Sequence, residues 1–380
     1  MKNIESSNSF IDKYSIDFNN SARLKKYDPV FFRSSEIKKV IETLCRRIKN
    51  NVILLGHPGV GKTAIVECIA QMIVNDEVPE VLKNKKIYGI KMSNMLAGTS
   101  YRGEFEERAE QLLKEICNSE VILFIDELHT IMKAGASEGS VDFVNLLKPY
   151  IARGDIQLIG ATTFVEYQHS ILLDKALDRR FHKVTIEEPS DYITYLILKK
   201  IKYKYEAFYN ILITDEAVLE AINLTKDIQD YYFPDKAIDL IDLACSSLVM
   251  DYEFLYSDEF IELEYKEELY TNLITDPLFK QIFETNHEID ILSVRNSKNI
   301  IIENFKINKK KIDEQKKNLK LVDSYLKEAN AMKRQGYESK YEEILELIIP
   351  KIKEDLQNDK VELTKEFLTL FYTRSYGRKR

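Results

Sequence analysis

The residues best suited to chemistry are the eight of GHPGVGKT, which match the pattern G-x-x-x-x-G-K-[ST] between an apolar run and a helical one. Glycines let backbone N–H groups close around phosphate oxygens, and the helix that follows directs its N-terminus at them. Lys62 is expected to reach the β- and γ-phosphates, and Thr63 to bind Mg²⁺. The predicted ATP-binding residues are Gly56, His57, Pro58, Gly59, Val60, Gly61, Lys62 and Thr63.

A second motif, VILFIDE, spans Val121–Glu127 and ends in two acidic residues. Its five apolar residues predict a buried parallel strand, and its carboxylates follow at the carboxyl end, where open α/β sheets bind ligands. Asp126 is predicted to hold Mg²⁺ through water, and Glu127 to take a proton from the attacking water. The alternative, two acids that cap a strand–helix junction, is disfavoured by the phosphate-binding motif about sixty residues earlier.

Two further stretches carry polar groups that suit phosphoryl transfer. Thr163 ends IGATT, where a strand end would place its hydroxyl to position the water, although turns also commonly carry threonine. Arg179 and Arg180 lie in DKALDRRF, and a guanidinium stabilises the charge that spreads over the γ-phosphate oxygens. The alternative for the arginines is an exposed pair that forms surface salt bridges.

Short apolar runs alternate with amphipathic ones from about Glu36 to Pro189, which predicts an α/β fold with a parallel sheet. The predicted strands are Asn51–Leu55, Lys86–Lys91, Glu120–Ile125, Gln157–Ala161 and Lys183–Ile186, and helices are predicted at Lys62–Val74 and Arg102–Cys117. Beyond Pro189 the period is helical. Heptad spacing of Ile312, Val322 and the other members of the set (Leu319, Leu326, Ala329) fits a short coiled coil or an ordinary amphipathic helix equally well.

Composition excludes several classes of protein. A hydrophobic fraction of 44% is that of a globular chain, and a net charge of −7 argues against nucleic-acid and anionic-lipid partners. No apolar run is long enough to span a membrane, and the start has no secretory signal, so we expect a cytoplasmic or organellar (for example plastid) protein that is not secreted. The four cysteines are widely spaced, which favours neither disulfides nor zinc.

The stretch AGTSYRGEFEER places Tyr101 between Gly98 and Gly103. Flanking glycines predict a loop with unusual backbone freedom, and the Glu-rich residues that follow suit a solvated helix start. The sequence therefore predicts an exposed tyrosine. Without further context, such a residue is more often a loop feature with no function.

Taken together, these stretches resemble the first AAA+ module of the Clp/ClpB family of ATP-dependent protein unfoldases and disaggregases. The resemblance runs from about Asp28 to Ala244, through KNNVILLGHPGVGKTAIVE, AGTSYRGEFEER, ILFIDELHTI, NLLKPYIARGDIQLIGATT, ALDRRF, EEPS and FPDKAIDLID. Towards the C-terminus, residues 326–356 resemble the end of the coiled-coil middle domain, and VELTKEFLTLFYTRSYG resembles the last strand and helix of the lid.

The resemblance implies a three-layer P-loop AAA+ fold with a helical lid and a helical or coiled-coil insertion. The implied plan is an N-terminal leader over 1–30, a large nucleotide-binding subdomain over 31–189, a lid over 190–250, a middle-domain-like insertion over 251–354, and the end of the lid with a tail over 355–380. It also implies a homo-oligomeric ring, usually a hexamer, in which Arg179 and Arg180 reach the neighbour's nucleotide. Tyr101, Arg102 and Gly103 would then line a central pore that grips polypeptide, with a second pore segment around Ala134–Val141.

Several positions depart from the family pattern. Ser100 replaces a lysine, Leu243 replaces a glutamate, and Phe32 and Lys200 replace glycines near the expected adenine contacts. A side chain at the last two positions would crowd the base.

The leading functional hypothesis is an ATP hydrolase that pulls polypeptide through a ring pore. The alternative is a reduced or split ATP-binding subunit that completes a mixed ring with a longer Clp subunit and has little activity of its own. A DNA-associated AAA+ motor is disfavoured by the net charge of −7.

Overall fold

The computed structural model describes residues 9–90, 95, 102–117, 119–133, 143–253, 258–275, 288–334, 338–348 and 361–376. The chain forms two compact units. The first comprises Met1–Ile197 with Ile228–Lys236, and the second comprises Leu198–Asp227 with Ala237–Arg380.

The first unit is built on a six-stranded sheet with the order β1-β3-β4-β5-β2-β6. Every neighbouring pair in it is parallel except β1 with β3. The prediction of an α/β fold with a parallel sheet is confirmed, and the five predicted strands lie within two residues of the observed ones. The strands are β1 (Ser15–Asp17), β2 (Asn51–Leu55), β3 (Lys86–Ile90), β4 (Val121–Ile125), β5 (Gln157–Thr162) and β6 (Phe181–Thr185).

Helices cover both faces of this sheet, so its central strands are buried on both sides. Along β2, Ile53 and Leu55 pack into one apolar core while Val52 and Leu54 pack into the other. This two-sided burial explains why β2 and β4 are continuous apolar runs rather than alternating ones. The helices of the first unit are Phe10–Tyr14, Phe18–Arg23, Ser34–Leu44, Lys62–Val74, Arg102–Cys117, Leu128–Lys133, Phe143–Arg153, Phe164–His169 and Lys175–Asp178, with 3₁₀ turns at Glu80–Leu82 and Ile171–Leu173.

The edge strand β1 was not predicted, because only Ile16 in it is apolar and that side chain is exposed. It lies within the predicted leader, and the residues after it bind the sheet. The buried side chain of Asn19 donates to Lys85 O (3.1 Å) and accepts from Ile87 N (2.8 Å). Phe18 packs closely on Gly89: a Cβ added at Gly89 would lie 2.6 Å from the Phe18 ring. Residues 15–19 therefore complete the sheet.

The second unit is mainly helical. Its two short strands, β7 (Leu212–Ile213) and β8 (Glu362–Leu363), pair in parallel although some 150 residues separate them in sequence. Residues near the C-terminus therefore pair with residues just after helix Asp191–Tyr209. The remaining helices among the described residues are Asp191–Tyr209, Asp215–Thr225, Asp235–Glu253, Asp258–Thr275, Glu288–Arg334, Glu338–Glu343 and Lys365–Tyr376, with a π-helix at Ile344–Ile348.

The segment between β7 and β8 contains a helix of 47 residues, Glu288–Arg334. Arg295 and Lys298 on this helix form ion pairs with Glu267, at 2.8 and 3.1 Å. The buried amide of Gln315 donates to Val361 O (2.7 Å) and accepts from Val361 N (2.6 Å), which ties the long helix to the chain just before β8.

Two members of the predicted heptad set on this helix, Ile312 and Ala329, are buried, and the side chains of the other three lie outside the described residues. Among the residues that the structure describes, no helix is both long and apolar enough to cross a membrane.

Candidate nucleotide site

The phosphate loop, Gly56–Gly61, connects β2 to helix Lys62–Val74, the arrangement that its sequence motif requires. Gly61 caps the helix at φ 95°, and Gly59 lies at φ 77°. Any side chain at Gly59 would also collide with Asp235, since a Cβ there would lie 2.7 Å from the Asp235 Cβ. The loop conformation therefore depends on glycine at both positions, for reasons of backbone geometry and of space.

Lys62 lies at the start of this helix with its side chain folded over the loop. Its Nζ donates to Gly56 O (2.9 Å) and to His57 O (2.8 Å). Burial lowers the pKa of Lys62, and the nearby carboxylates of Asp126, Glu166 and Glu127 partly oppose that shift.

Thr63 and Asp126 come together from the loop and from the end of β4. The Thr63 hydroxyl donates to Asp126 Oδ2 (2.9 Å), and Asp126 Oδ1 accepts from the backbone of Glu127 (2.9 Å). Hard oxygen donors of this kind suit Mg²⁺, which usually takes one or two protein ligands and completes its shell with phosphate and water. No cluster of three or more His, Cys, Asp or Glu suited to a metal ion occurs in the part of the chain that the structure describes.

Glu127 and Glu166 present two carboxylates with different surroundings. Glu166 accepts from Thr163 Oγ1 (3.0 Å), and its Oε1 lies 2.8 Å from Nε2 of the buried His129. Since an ionised carboxylate only accepts hydrogen bonds, His129 Nε2–H is the donor. Glu127 is exposed in the left-handed region (φ 48°), and within the described ranges no hydrogen bond to its carboxylate is found. Glu127 is therefore the carboxylate that is open to accept a proton.

Sequence reasoning missed His129, Glu166 and Asp235. The spacing Thr163-x-x-Glu166 is a capping-box pattern, and Thr163 Oγ1 does accept from Glu166 N (3.3 Å). That signal predicts a helix start but not a carboxylate that faces the nucleotide site. The only sequence signal for His129 is its position two residues after Glu127. Asp235 has no such signal, because it is distant in sequence from the other residues of the site.

These groups surround one cavity of about 550 Å³. Among its lining residues Lys62 is the single lysine or arginine, whereas Asp126, Glu127, Glu166 and Asp235 bring four carboxylates. A polyanion such as ATP would meet net repulsion there unless Mg²⁺ accompanied it. Other lining residues are Pro58, Gly59, Gly61, Thr63, Ala64, His129, Thr162 and Thr163.

Three of the predicted ATP-binding residues, Gly56, His57 and Val60, are not among the described lining residues of the cavity. Arg179, which is exposed, and Arg180, which is partly exposed, follow helix Lys175–Asp178 and do not line the cavity. Tyr101 and the segment Ala134–Val141 lie outside the described residues. Arg102 and Gly103 begin helix Arg102–Cys117, and the position of the Arg102 side chain is not described.

Phe32 adopts a backbone conformation that favours glycine, with φ 59° and a side chain that is 43% exposed. Strain of this kind costs about 1–3 kcal/mol, more than the about 0.5–1 kcal/mol of chain entropy that a glycine adds. Because so exposed a ring contributes little packing, Phe32→Gly is expected to raise the free energy of unfolding by about 1 kcal/mol, measured by urea denaturation.

The adjacent Phe31, whose φ is not positive, provides the matched control. Phe31→Gly is expected to destabilise the protein, since it adds chain entropy and relieves no strain. A loss of stability on Phe32→Gly would show that the ring packs more strongly than its exposure indicates. Lys200, the other departure at an expected glycine, lies within helix Asp191–Tyr209.

Comparisons with known proteins match two adjacent parts of the chain. A family model described as "ATPase family associated with various cellular activities (AAA)" matches residues 52–187, and an AAA lid domain model matches residues 190–269. Over 252 residues the chain is 49% identical to the chaperone protein ClpB of Pseudomonas putida, which covers 66% of this chain and 30% of that relative. It is 51% identical over 240 residues to the ATP-dependent Clp protease ATP-binding subunit ClpC of Staphylococcus aureus, covering 63% and 29% of the two chains.

Among solved structures, the S. cerevisiae Hsp104–ADP complex aligns with a TM-score of 0.71 at 31% identity, covering 97% of this chain and 55% of that one. The S. cerevisiae Hsp104:casein complex in its extended conformation aligns with a TM-score of 0.58 at 41% identity, over 63% of this chain and 42% of that one. The chain spans well under half the length of the curated relatives that it matches. The family resemblance drawn from the motifs is confirmed: the chain belongs to the AAA+ ATPases, as a first-module relative of the Clp/ClpB family.

Proposed function

We propose that this protein binds ATP with Mg²⁺ and hydrolyses it. The observation that supports this most directly is the convergence of Lys62, Thr63, Asp126, Glu127 and Thr163 from three separate strand ends on one cavity. Each brings a group that phosphoryl transfer needs: a cation for the phosphates, oxygen donors for the metal, a base and a hydroxyl that positions water.

In this mechanism Lys62 would leave its loop carbonyls to contact the β- and γ-phosphates, and Thr63 and Asp126 would hold Mg²⁺. The metal neutralises phosphate charge when it is bound. Glu127 takes the proton of the attacking water, because its carboxylate is not engaged by the hydrogen bonds that hold Glu166. Thr163 orients the same water by accepting a hydrogen bond from it.

Arg179 and Arg180 act, in this proposal, on the nucleotide of a neighbouring protomer in a homo-oligomeric ring. Their exposure, and their absence from the lining of the cavity in their own protomer, support a role at a rim. We propose that residues 31–189 form the nucleotide-binding subdomain and that residues 190–250 form the lid. The pairing of β7 with β8 supports the assignment of 355–380 to the end of that lid.

The work done by hydrolysis is, we propose, the pulling of polypeptide through the ring by Tyr101, Arg102 and Gly103. The chaperone names of the relatives and the Hsp104 complex with casein support this assignment. An aromatic ring offers an apolar face that grips chains of any sequence, which suits a motor with many substrates.

The proposal predicts that the ATPase rate per protomer rises cooperatively with protein concentration and rises again when an unfolded protein such as casein is added. ATP turnover is the measurement, with sedimentation in parallel. Turnover that is independent of concentration would contradict the ring. Turnover that appears only after a longer Clp relative is added would favour a mixed ring.

Tyr101→Ala is expected to leave basal ATP turnover within about twofold while it removes the stimulation by casein and the translocation of a fluorescent substrate. The control is Tyr192→Phe, a conservative change of an exposed tyrosine outside the cavity. Unchanged translocation by the Tyr101→Ala protein would contradict the pore assignment.

A further inference from the structure

Helix Phe164–His169 contacts the candidate nucleotide cavity through one residue and, through the next, the arginine segment, which is helix Lys175–Asp178 with the Arg179 and Arg180 that follow it. Glu166 lines the cavity and binds both Thr163 and His129. The next residue, Tyr167, is buried at 6% exposure, and its hydroxyl donates to Asp178. Two consecutive residues of one short helix therefore reach two different places: Glu166 the cavity, and Tyr167 the residue before the arginines.

Asp178 immediately precedes Arg179 and is held from a second direction. Its Oδ1 lies 2.9 Å from Lys183 Nζ, and that ammonium lies 5.2 Å from the centre of the Tyr167 ring. Tyrosine, aspartate and lysine thus form a closed cluster at the end of helix Lys175–Asp178. A movement of Tyr167 would carry the carboxylate next to the arginines with it.

The other end of this four-residue helix is anchored to a different part of the fold. Asp174 accepts from Ala176 N and Leu177 N (3.2 and 3.1 Å), and its Oδ2 lies 2.6 Å from Lys148 Nζ. Leu177 is buried between the two anchors. Lys148 therefore holds the start of the segment, while Tyr167 and Lys183 hold the end that carries the arginines.

We infer that Tyr167 is a positioning residue, which couples the state of a protomer's own nucleotide site, through Glu166, to the placement of Arg179 and Arg180. The inference rests on the proposed function, in which those arginines serve a neighbouring site. When ATP is bound, the Thr163 hydroxyl has a choice of acceptors, the γ-phosphate or Glu166. A change there shifts helix Phe164–His169 and, through Tyr167 and Asp178, the arginine pair.

Tyr167→Phe removes the hydroxyl and keeps the ring. Because small displacements of catalytic groups have large kinetic effects, we expect a fall of about tenfold in ATP turnover, with ATP affinity within about twofold of the parent. The matched control is Tyr209→Phe, which removes another hydroxyl bond to a carboxylate (Asp242 Oδ1, 2.8 Å) in the second unit and is expected to keep parent turnover.

Mixing experiments separate a positioning role from a structural defect. Glu127→Gln protein has an inactive site of its own but intact arginines. Mixed with it, Tyr167→Phe protomers gain neighbours with well-placed arginines, so turnover per Tyr167→Phe protomer should recover at least threefold. The double variant Arg179→Ala/Arg180→Ala should recover in the same way. Asp178→Asn tests the same link from the arginine side, should Tyr167→Phe fail to fold.

Parent turnover by Tyr167→Phe, or a defect that mixing does not repair, would overturn the inference while the proposed ATPase function stands. Failure of the arginine double variant to recover would overturn it too, because the arginines would then not act on a neighbour. A parent chain without any ATP turnover would contradict the proposed function itself, and the inference with it.

Discussion

Glu127→Gln is expected to lower ATP turnover about a thousandfold and to leave ATP binding within about twofold of the parent. The amide keeps the shape of the side chain but cannot accept the proton of the attacking water. Binding is retained because the phosphate contacts come from the loop and from Lys62. Single-turnover hydrolysis and titration with a fluorescent ATP analogue measure the two effects separately.

Glu166→Gln is the matched control, since it changes the other glutamate of the same cavity. Glu166 is bound by His129 and Thr163, so its loss should disturb positioning and reduce turnover only about tenfold. If the two variants lose turnover in the reverse order, Glu166 is the base and the assignment based on hydrogen bonding is wrong. Parent turnover by Glu127→Gln would exclude Glu127 from the chemistry.

Lys62→Met is expected to weaken ATP binding about a hundredfold, through the loss of charge-assisted hydrogen bonds to phosphate. The effect is large because, among the described residues, no other lysine or arginine lines the cavity, where four carboxylates remain. Methionine keeps most of the length of the side chain, so the loop should stay folded. Isothermal titration with ATP and Mg²⁺ measures the affinity.

Lys38→Met controls for the loss of a positive charge as such. Lys38 is exposed on helix Ser34–Leu44, where it forms a 3.7 Å pair with Glu42, and exposed pairs contribute little. ATP affinity should be unchanged in that variant. An affinity that Lys62→Met leaves intact would mean that the nucleotide binds somewhere other than this cavity.

Some of the site follows from local sequence alone. The phosphate loop is a contiguous motif whose chemistry depends on neighbouring residues, and VILFIDE places its acids at a strand end because they directly follow a continuous run of five apolar residues. In a parallel sheet such strand ends meet at one edge, so the sequence predicts that Lys62, Asp126 and Thr163 converge. The observed cavity contains all three.

Other features depend on contacts between residues far apart in the chain. His129 and Glu166 are 37 positions apart, and only the pairing of β4 with β5 brings them within 2.8 Å. Asp235 reaches Gly59 because the chain returns to the first unit after residue 227. The edge strand β1 also depends on a distant contact, its pairing with β3. Three residues with one apolar side chain are too short a pattern to be recognised as a strand from sequence alone.

The sequence by itself determined the strand–loop–helix that carries the predicted phosphate-binding motif, the acidic strand end, the α/β class and the family, because each is encoded in consecutive residues or in a local period. Only the tertiary structure decided that Glu166 is hydrogen-bonded while the Glu127 carboxylate is exposed, that Lys62 is the one described lysine or arginine at a cavity lined by four carboxylates, and that Tyr167 contacts Asp178 beside the arginines. Those properties are distances and burial between distant positions, and a local pattern carries no record of them.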